Sequence, residues 1–282
     1  MGDTATSSSA GPPSELPGWT VPTGDGRTDG KQPYLIKNAS GRFVFFTVPE
    51  KNTPRLLVAD IHTGKVLDFK PSSAATLWGA TLWDHGSPYG VNGTDLRTGR
   101  VTQHQGFGVC RPSESQVSGE WMYGLCPAAM ESPAVRHLPS HTLVSLPFAP
   151  ESGRVHLGDG SLVRQTNTGL EVYNLRSGKA VRVSGIAPEA LTYGSDWTVD
   201  RFGGRLAYTD ASRTVHLVGV TGNASPLAAI DQDVAATADF RQVKTWQARW
   251  WLSKPVSSWK LTVRNTSSGI TTVVRTGTDA RA

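Results

Sequence analysis

The chain has few of the features that mark helical, membrane-spanning or highly charged proteins. Charged residues make up only 18% of its 282 positions, and it has only two cysteines and three methionines. Apolar residues at helical spacing are nearly absent, and no stretch approaches the run of about eighteen apolar residues that crosses a membrane. Glycine (30) and proline (18) are plentiful, which is typical of many short strands joined by turns. The composition therefore predicts an all-β protein without a membrane span.

The positive charge of the chain is weak evidence for an anionic partner. The formal net charge is +5, and a basic balance can indicate nucleic-acid binding. The lysines and arginines are scattered singly, however, and neither a basic stripe nor a recognition helix accompanies them. A solvated basic surface is the better interpretation, and we expect no nucleic-acid partner.

The two cysteines, Cys110 and Cys126, flank one local segment, RPSESQVSGEWMYGL. This placement suits a cross-strand disulfide, which implies an oxidising compartment and favours an extracellular or cell-surface location. A pair of buried free thiols is the alternative. A metal site is disfavoured because neither cysteine has a second Cys or His at ligand spacing. The N-terminal stretch MGDTATSSSAGPPSELPG lacks the apolar core of a signal peptide.

A short motif recurs along the chain, as VADIHTGKVLDF, GTDLRTGRVTQH and VYNLRSGKAVRV. In each copy an Asp or Asn is followed by Thr or Ser, then Gly, a basic residue and a strand. The glycine suits the positive φ of a tight hairpin, and the Asp or Asn side chain can accept hydrogen bonds from the turn backbone. The predicted hairpin residues are Asp60 and Gly64, Asp95 and Gly99, and Asn174 and Gly178.

The spacing of this motif indicates a repeated unit. Asp60 and Asp95 are 35 positions apart, whereas Asp95 and Asn174 are 79 apart, about twice as far. A degenerate copy is therefore expected near residue 134, where AVRHLPSHTLVSLP has a turn between two apolar runs, and a further copy at 215–220. Each unit also holds an earlier pair of strands, so the chain shows five units of 35 to 42 residues with about four strands each. This period predicts a β-propeller-like array of blades.

Four of the nine tryptophans lie in the earlier strands of these units, namely Trp78, Trp83, Trp121 and Trp197. A large ring at this position is expected to pack between adjacent blades. A ligand-stacking platform is the alternative interpretation.

Changes of composition divide the chain into four regions. Residues 1–31 are polar and rich in Gly, Pro and Ser, and are expected to be a flexible N-terminal segment. Residues 32–225 hold the propeller-like domain, and 226–244 are predicted to be a linker. Residues 245–282 contain two alternating strands around a Ser-Ser-Gly turn, which predicts the start of a second β domain.

The last region, LSKPVSSWKLTVRNTSSGITTVVRTGTDARA, resembles the opening of the FlgD-type immunoglobulin-like domain. In that family a Trp-Asp-Gly-rich turn and a Gly-Thr-Tyr strand normally follow. Neither follows here, so the resemblance predicts a partial Ig-like β-sandwich at 245–282. The preceding hairpins and the cysteine pair resemble the propeller region of large secreted bacterial proteins, which often join this Ig-like domain to FG-GAP/VCBS repeats. The resemblance implies an exported or cell-surface protein with a binding or scaffolding role.

No catalytic, cofactor-binding or metal-binding residues are predicted. The sequence has no Gly-x-Ser-x-Gly elbow, phosphate loop, dinucleotide fingerprint or Asp-rich calcium loop, and its seven histidines are spread over the chain. We therefore expect a monomeric, non-catalytic module that binds a glycan or protein ligand at the cell surface. The alternative is a secreted hydrolase or lyase with a carboxylate pair centred in the propeller channel, which sequence spacing does not detect.

Overall fold

The computed structural model is all-β, as the composition predicted. It describes residues 35–48, 55–67, 74–86, 89–108, 110–126, 133–148, 155–167, 169–177, 181–186, 197–202, 204–210, 212–220, 225–235 and 246–280. Every regular element in these ranges is a β-strand. None of the described segments forms an apolar helix of membrane-spanning length.

Five small antiparallel sheets, here called blades, follow one another along the chain, and in each the strands are hydrogen-bonded in chain order. Blade 1 comprises β1 (Leu35–Ser40), β2 (Phe43–Val48), β3 (Arg55–Asp60) and β4 (Lys65–Leu67). Blade 2 comprises β5 (Thr76–Trp78), β6 (Thr81–His85), β7 (Val91–Asp95) and β8 (Val101–His104). Blade 3 comprises β9 (Glu114–Ser118), β10 (Trp121–Leu125), β11 (Ala134–His137) and β12 (Leu143–Ser145). Blade 4 comprises β13 (Val155–Leu157), β14 (Ser161–Thr166), β15 (Gly169–Asn174) and β16 (Val181–Ile186). Blade 5 has three described strands, β17 (Trp197–Val199), β18 (Arg205–Thr209) and β19 (Val215–Gly219).

The blades are arranged as a propeller, which confirms the fold predicted from the repeat. The first strands of consecutive blades contact each other, β1 with β5, β5 with β9, β9 with β13 and β13 with β17, so these strands line the centre. Four hydrophobic clusters fill the four spaces between consecutive blades. Between blades 1 and 2, for example, Phe43 and Phe45 pack against Leu77 and Leu82. Each blade thus buries its apolar face against its neighbour.

The tryptophans of the earlier strands lie in these spaces. Trp121 belongs to the cluster between blades 3 and 4, Trp83 to that between blades 2 and 3, and Trp197 to that between blades 4 and 5. Trp78 is partly buried and packs against the Trp83 cluster. These four rings therefore pack between blades.

The disulfide predicted from the cysteine pair is present. Cys110 and Cys126 are bonded, with Cα atoms 5.8 Å apart. Both are buried in the cluster between blades 2 and 3, together with Phe107. The bond ties the segment that enters blade 3 to the end of β10.

The first turn of each blade lies on one side of the propeller, called here the turn face. Each of these turns contains a glycine with positive φ: Gly41, Gly79, Gly119, Gly160 and Gly204. The turns of neighbouring blades touch, since the Gly79 N–H donates to Ser40 Oγ at 2.7 Å. Gly119 of blade 3 likewise lies beside Asp159 of blade 4.

Two further hairpins follow blade 5. Strands β20 (Ala229–Val234) and β21 (Ala248–Leu252) form the first, here called the capping hairpin. Strands β22 (Val256–Arg264) and β23 (Thr271–Ala280) form the second, here called the C-terminal ribbon. β20 lies in the region predicted to be a linker and pairs with β21, which lies in the region that resembles an Ig-like domain. The Ig-like assignment of 245–282 stays a prediction.

Candidate binding surface

The predicted hairpin residues of the first two copies have the same local geometry. Asp60 Oδ1 accepts the N–H groups of His62 and Thr63, and the Gly64 N–H donates to the Asp60 carbonyl at 2.8 Å. Asp95 Oδ1 accepts the N–H groups of Arg97 and Thr98, and Gly99 donates to the Asp95 carbonyl in the same way. Gly64 and Gly99 have φ values of 70° and 72°. Gly64 and Gly99 each end the turn between the third and fourth strands of a blade. In an antiparallel sheet with its strands in chain order, this turn lies at the same end as the first turn, so both glycines lie on the turn face.

The other copies follow the same pattern as far as they are described. Asn174 Oδ1 accepts the N–H of Arg176 at 2.9 Å, whereas Gly178 lies outside the described residues. In the degenerate copy near residue 134, His141 takes the positive φ, at 57°. The turn of the C-terminal ribbon repeats the motif once more, since Asn265 Oδ1 accepts two N–H groups and Gly269 has φ 72°.

An arginine occupies the centre of the propeller. Arg201, in the first turn of blade 5, donates to Asn38 Oδ1 of blade 1 at 2.6 Å and to the Leu77 carbonyl of blade 2 at 3.0 Å. It also donates to the Val117 carbonyl of blade 3, while its own carbonyl accepts the Ser118 hydroxyl at 2.6 Å. One guanidinium therefore links blade 5 to the first strands of three other blades.

The partners of this guanidinium are all neutral. Burial lowers the pKa of Arg201 to about 10, so the side chain remains cationic at neutral pH. The neighbouring Phe202 stacks on Trp78 at a centroid distance of 4.8 Å. The groups that hydrogen-bond with Arg201 are thus an amide, a hydroxyl and backbone carbonyls.

The capping hairpin lies on the turn face over blades 1 and 2. Asp231 Cβ is 3.1 Å from the position of a Cβ at Gly41, and a Cβ at Gly79 would lie only 2.3 Å from the Ile230 carbonyl oxygen. Gly79 therefore serves two needs at once, a positive φ of 58° and the close approach of the hairpin backbone.

Arginines from both blades surround the buried Asp231 carboxylate. Arg42 Nε is 3.5 Å from Asp231 Oδ2 and 3.4 Å from Asp60 Oδ2, so it lies between the hairpin and a predicted turn residue. Arg97 Nη1 is 3.7 Å from Asp231 Oδ1. Burial raises the pKa of Asp231 above its usual value. The hydrogen bond from the Gln232 N–H and the charges of the two arginines act in the opposite direction and lower this pKa. The hydrogen bond from Arg97 to Asp95 lowers the pKa of Asp95 to about 2.

The remaining charged residues of the hairpin point to the same side. Asp233 Oδ2 is 3.4 Å from His62 Nε2, and Arg249 Nη1 lies 2.6 Å and 2.8 Å from the two ring nitrogens of His62. The Trp251 ring faces His62 edge-on at 6.5 Å and lies 5.9 Å from the Arg42 guanidinium carbon. The inner face of the hairpin therefore docks on blade 1 through charges and one indole.

The segments that flank the capping hairpin dock on blade 4. The buried Asp159 carboxylate, in the first turn of that blade, accepts the Ser225 N–H at 2.7 Å and the Ser225 hydroxyl. Lys254 Nζ and Arg176 Nη2 lie 3.2 Å and 3.1 Å from the same carboxylate. The hairpin is thus held by both segments that flank its open end as well as along its inner face.

The outer face of the hairpin carries two tryptophans. Successive residues of a strand point to opposite sides, so Trp250 points away from the propeller while Trp251 points into it. Trp250 is 42% exposed, and its ring meets that of Trp246 edge-on, with centroids 6.5 Å apart. Gln232 lies directly across the hairpin from Trp250 and is exposed. This outer face, defined by Trp246, Trp250 and Gln232, is the candidate binding surface.

A serine, a histidine and an aspartate also meet at the turn between β18 and β19, but in the wrong order for nucleophilic catalysis. His216 Nε2 is 2.8 Å from Asp210 Oδ2, and the Ser212 hydroxyl donates to Asp210 Oδ1 at 2.6 Å. These two contacts lower the pKa of Asp210. A triad requires the hydroxyl to contact the histidine. Among the described residues there is also no group of three or more metal-ligating side chains.

Sequence reasoning did not single out Arg201, Asp231 or the outer tryptophans. Nothing local distinguishes Arg201 from other turn arginines, because all its partners come from distant blades. The stretch WQARWWL did contain a usable signal, since Trp246 and Trp250 share one parity and Trp251 has the other. Which parity faces the propeller does not follow from that stretch.

No protein-family model and no curated protein matches the chain. Among solved structures it is similar to the computationally designed Ika8 protein, at 14% identity over 68% of this chain and 59% of that one, with a TM-score of 0.39. It is similar to BamB from Moraxella catarrhalis at 14% identity, over 73% of this chain and 64% of that one, with a TM-score of 0.35. It is also similar to Hsv2p from Kluyveromyces lactis at 10% identity, over 89% and 87% of the chains, with a TM-score of 0.42. These similarities concern the fold alone.

Proposed function

We propose that this protein is a non-catalytic binding or scaffold module of the extracellular space or cell surface, and that its ligand, a glycan or a protein, binds the outer face of the capping hairpin. The observation that carries the proposal is the division of the hairpin into two faces. Its charged side chains and Trp251 contact the propeller, while Trp250 is exposed on the other side and meets the half-buried Trp246 ring edge-on. Exposed aromatic side chains on a fixed element are typical of recognition surfaces.

Two further features support this proposal. The hairpin is attached at blades 1, 2 and 4, so its outer face is preorganised, and little ordering is needed when a ligand binds. The Cys110–Cys126 disulfide is compatible with an oxidising, extracellular environment.

The test is binding of the fluorescently labelled protein to bacterial cell envelopes and to isolated cell-wall polysaccharide, compared with Trp250→Ala. We expect Trp250→Ala to weaken binding at least tenfold. Trp259→Ala is the matched control, because Trp259 is similarly exposed, at 37%, but lies on the C-terminal ribbon. Equal binding by the native protein and Trp250→Ala would overturn the proposal.

A further inference from the structure

The outer face of the capping hairpin is uncharged over its described residues. Its outward side chains, by strand alternation, are Gln232, Val234, Ala248 and Trp250, and the half-buried Trp246, just before β21, contacts Trp250 edge-on. The charged side chains of the two strands, Asp231, Asp233 and Arg249, all lie on the inner face, where they contact blades 1 and 2. A charged ligand on the outer face would lose its hydration without gaining an ionic partner. These outward side chains therefore favour a neutral occupant.

We propose that this surface binds a neutral oligosaccharide, an inference that rests on the proposed function and names its ligand class. A pyranose ring presents C–H groups on its faces and hydroxyl groups around its edge. An indole packs against the C–H face, and a carboxamide both donates to and accepts from hydroxyls. Trp250 and Gln232 are a directly opposed cross-strand pair, so one sugar unit reaches both.

The geometry of the two indoles favours more than one sugar unit. Their centroids are 6.5 Å apart and their planes are inclined at 65°, so a single flat ring does not stack on both. Two consecutive units of a chain, inclined to each other at the glycosidic linkage, meet one indole each. A protein partner typically buries about 800 Å² on each side, which extends well beyond these three side chains.

The experiment is calorimetric titration of the full chain with neutral tetrasaccharides of glucose, mannose and N-acetylglucosamine, and with a tetramer of galacturonic acid as the charged control. We expect one of the neutral tetramers to bind, its affinity to be unchanged between low and high salt, and the acidic tetramer not to bind. Trp246→Ala and Trp250→Ala are each expected to weaken binding about tenfold. Trp259→Ala should bind as the native protein does.

The outcomes separate this inference from the proposed function. If envelope binding depends on Trp250 while all the neutral tetramers fail to bind, the ligand is of another class and only the present inference is wrong. If a tetramer binds equally well to the Trp246 and Trp250 variants, the sugar site lies elsewhere and the inference is also wrong. If Trp250→Ala changes neither envelope binding nor tetramer binding, both proposals fail. Thermal unfolding of each variant, compared with that of the native protein, controls for folding.

Discussion

Replacement of Arg201 by methionine tests whether the centre of the propeller depends on one guanidinium. Methionine keeps a long apolar side chain but removes the hydrogen bonds to Asn38, Leu77 and Val117. A hydrogen bond from a charged group contributes about 1.5–3 kcal/mol, so the gross loss is several kcal/mol. The cost of burying the cation, which is evident in its lowered pKa, offsets part of this loss. We expect a net destabilisation of about 2–4 kcal/mol.

The assay is urea unfolding followed by tryptophan fluorescence, with Arg205→Met as the matched control. Arg205 is an exposed arginine of β18, four positions further along the same blade, and its replacement is expected to change the free energy of unfolding by less than about 0.5 kcal/mol. Coincident unfolding midpoints for the two variants would refute the reasoning. That result would mean that water replaces the guanidinium at the three acceptors without a net cost.

Three further perturbations test the turns, the disulfide and the capping hairpin. Gly99→Ala should lower the free energy of unfolding by about 1 kcal/mol because Gly99 has φ +72°. Gly219 has equally few neighbouring atoms but no positive φ, so Gly219→Ala should leave the stability unchanged. Equal unfolding midpoints for the two variants would contradict the turn mechanism. Cys110 and Cys126 are 16 positions apart, so reduction of their disulfide should lower the free energy of unfolding by about 3 kcal/mol. Alkylation of two thiols without reductant, detected by intact mass, would show that the bond is absent. Burial raises the pKa of Asp231, so the Asp231 carboxyl binds a proton more tightly in the folded state than in the unfolded state. The contribution of Asp231 to stability should therefore rise as the pH falls from neutral through the folded-state pKa. Thermal unfolding of the native protein relative to Asp231→Asn should therefore shift in favour of the native protein on acidification, and a shift the other way would show that the ion pairs outweigh burial.

The blade hairpins could be predicted from the sequence because their interactions are local. The Asp60 side chain and the Gly64 backbone act within five consecutive residues, and the same chemistry recurs at Asp95 and Gly99. A regular spacing between such turns then predicts the repeat, and the repeat predicts the propeller. Each of these steps depends on short motifs and on their spacing along the chain, and both can be read from a single sequence.

The capping hairpin was not predicted because it reverses the usual pattern of a half-buried strand. In β20 the residues that face the propeller are Asp231 and Asp233, and in β21 one of them is Arg249, while Trp250 is exposed on the opposite side. Pattern analysis assigns apolar residues to the inside, so AIDQDV gave no strand signal. The buried charge of Asp231 is tolerated because Arg42 and Arg97 pair with it. Arg42 lies nearly 190 positions earlier in the chain, and a pairing over that distance is not visible in one sequence.

The meeting of the first and last blades explains why a polar residue has the central position. Consecutive blades bury hydrophobic clusters against each other, and in such arrays stability is largely a sum of nearest-neighbour terms. At the outer side of blade 5, Leu217 and Val215 are 69% and 67% exposed, and Ile36 of blade 1 is 71% exposed. Among the described residues, the hydrogen bond from Arg201 to Asn38 joins these two blades. Arg201 thus couples blades that share little apolar surface, and blades 1 and 5 should open before the three blades between them. Amide hydrogen exchange should then be faster in β1 and β19 than in β10, and Arg201→Met should accelerate it more in β1 and β19 than in β10. A uniform acceleration across all the blades would mean that the array unfolds as one unit and that the guanidinium has no special part in joining its ends.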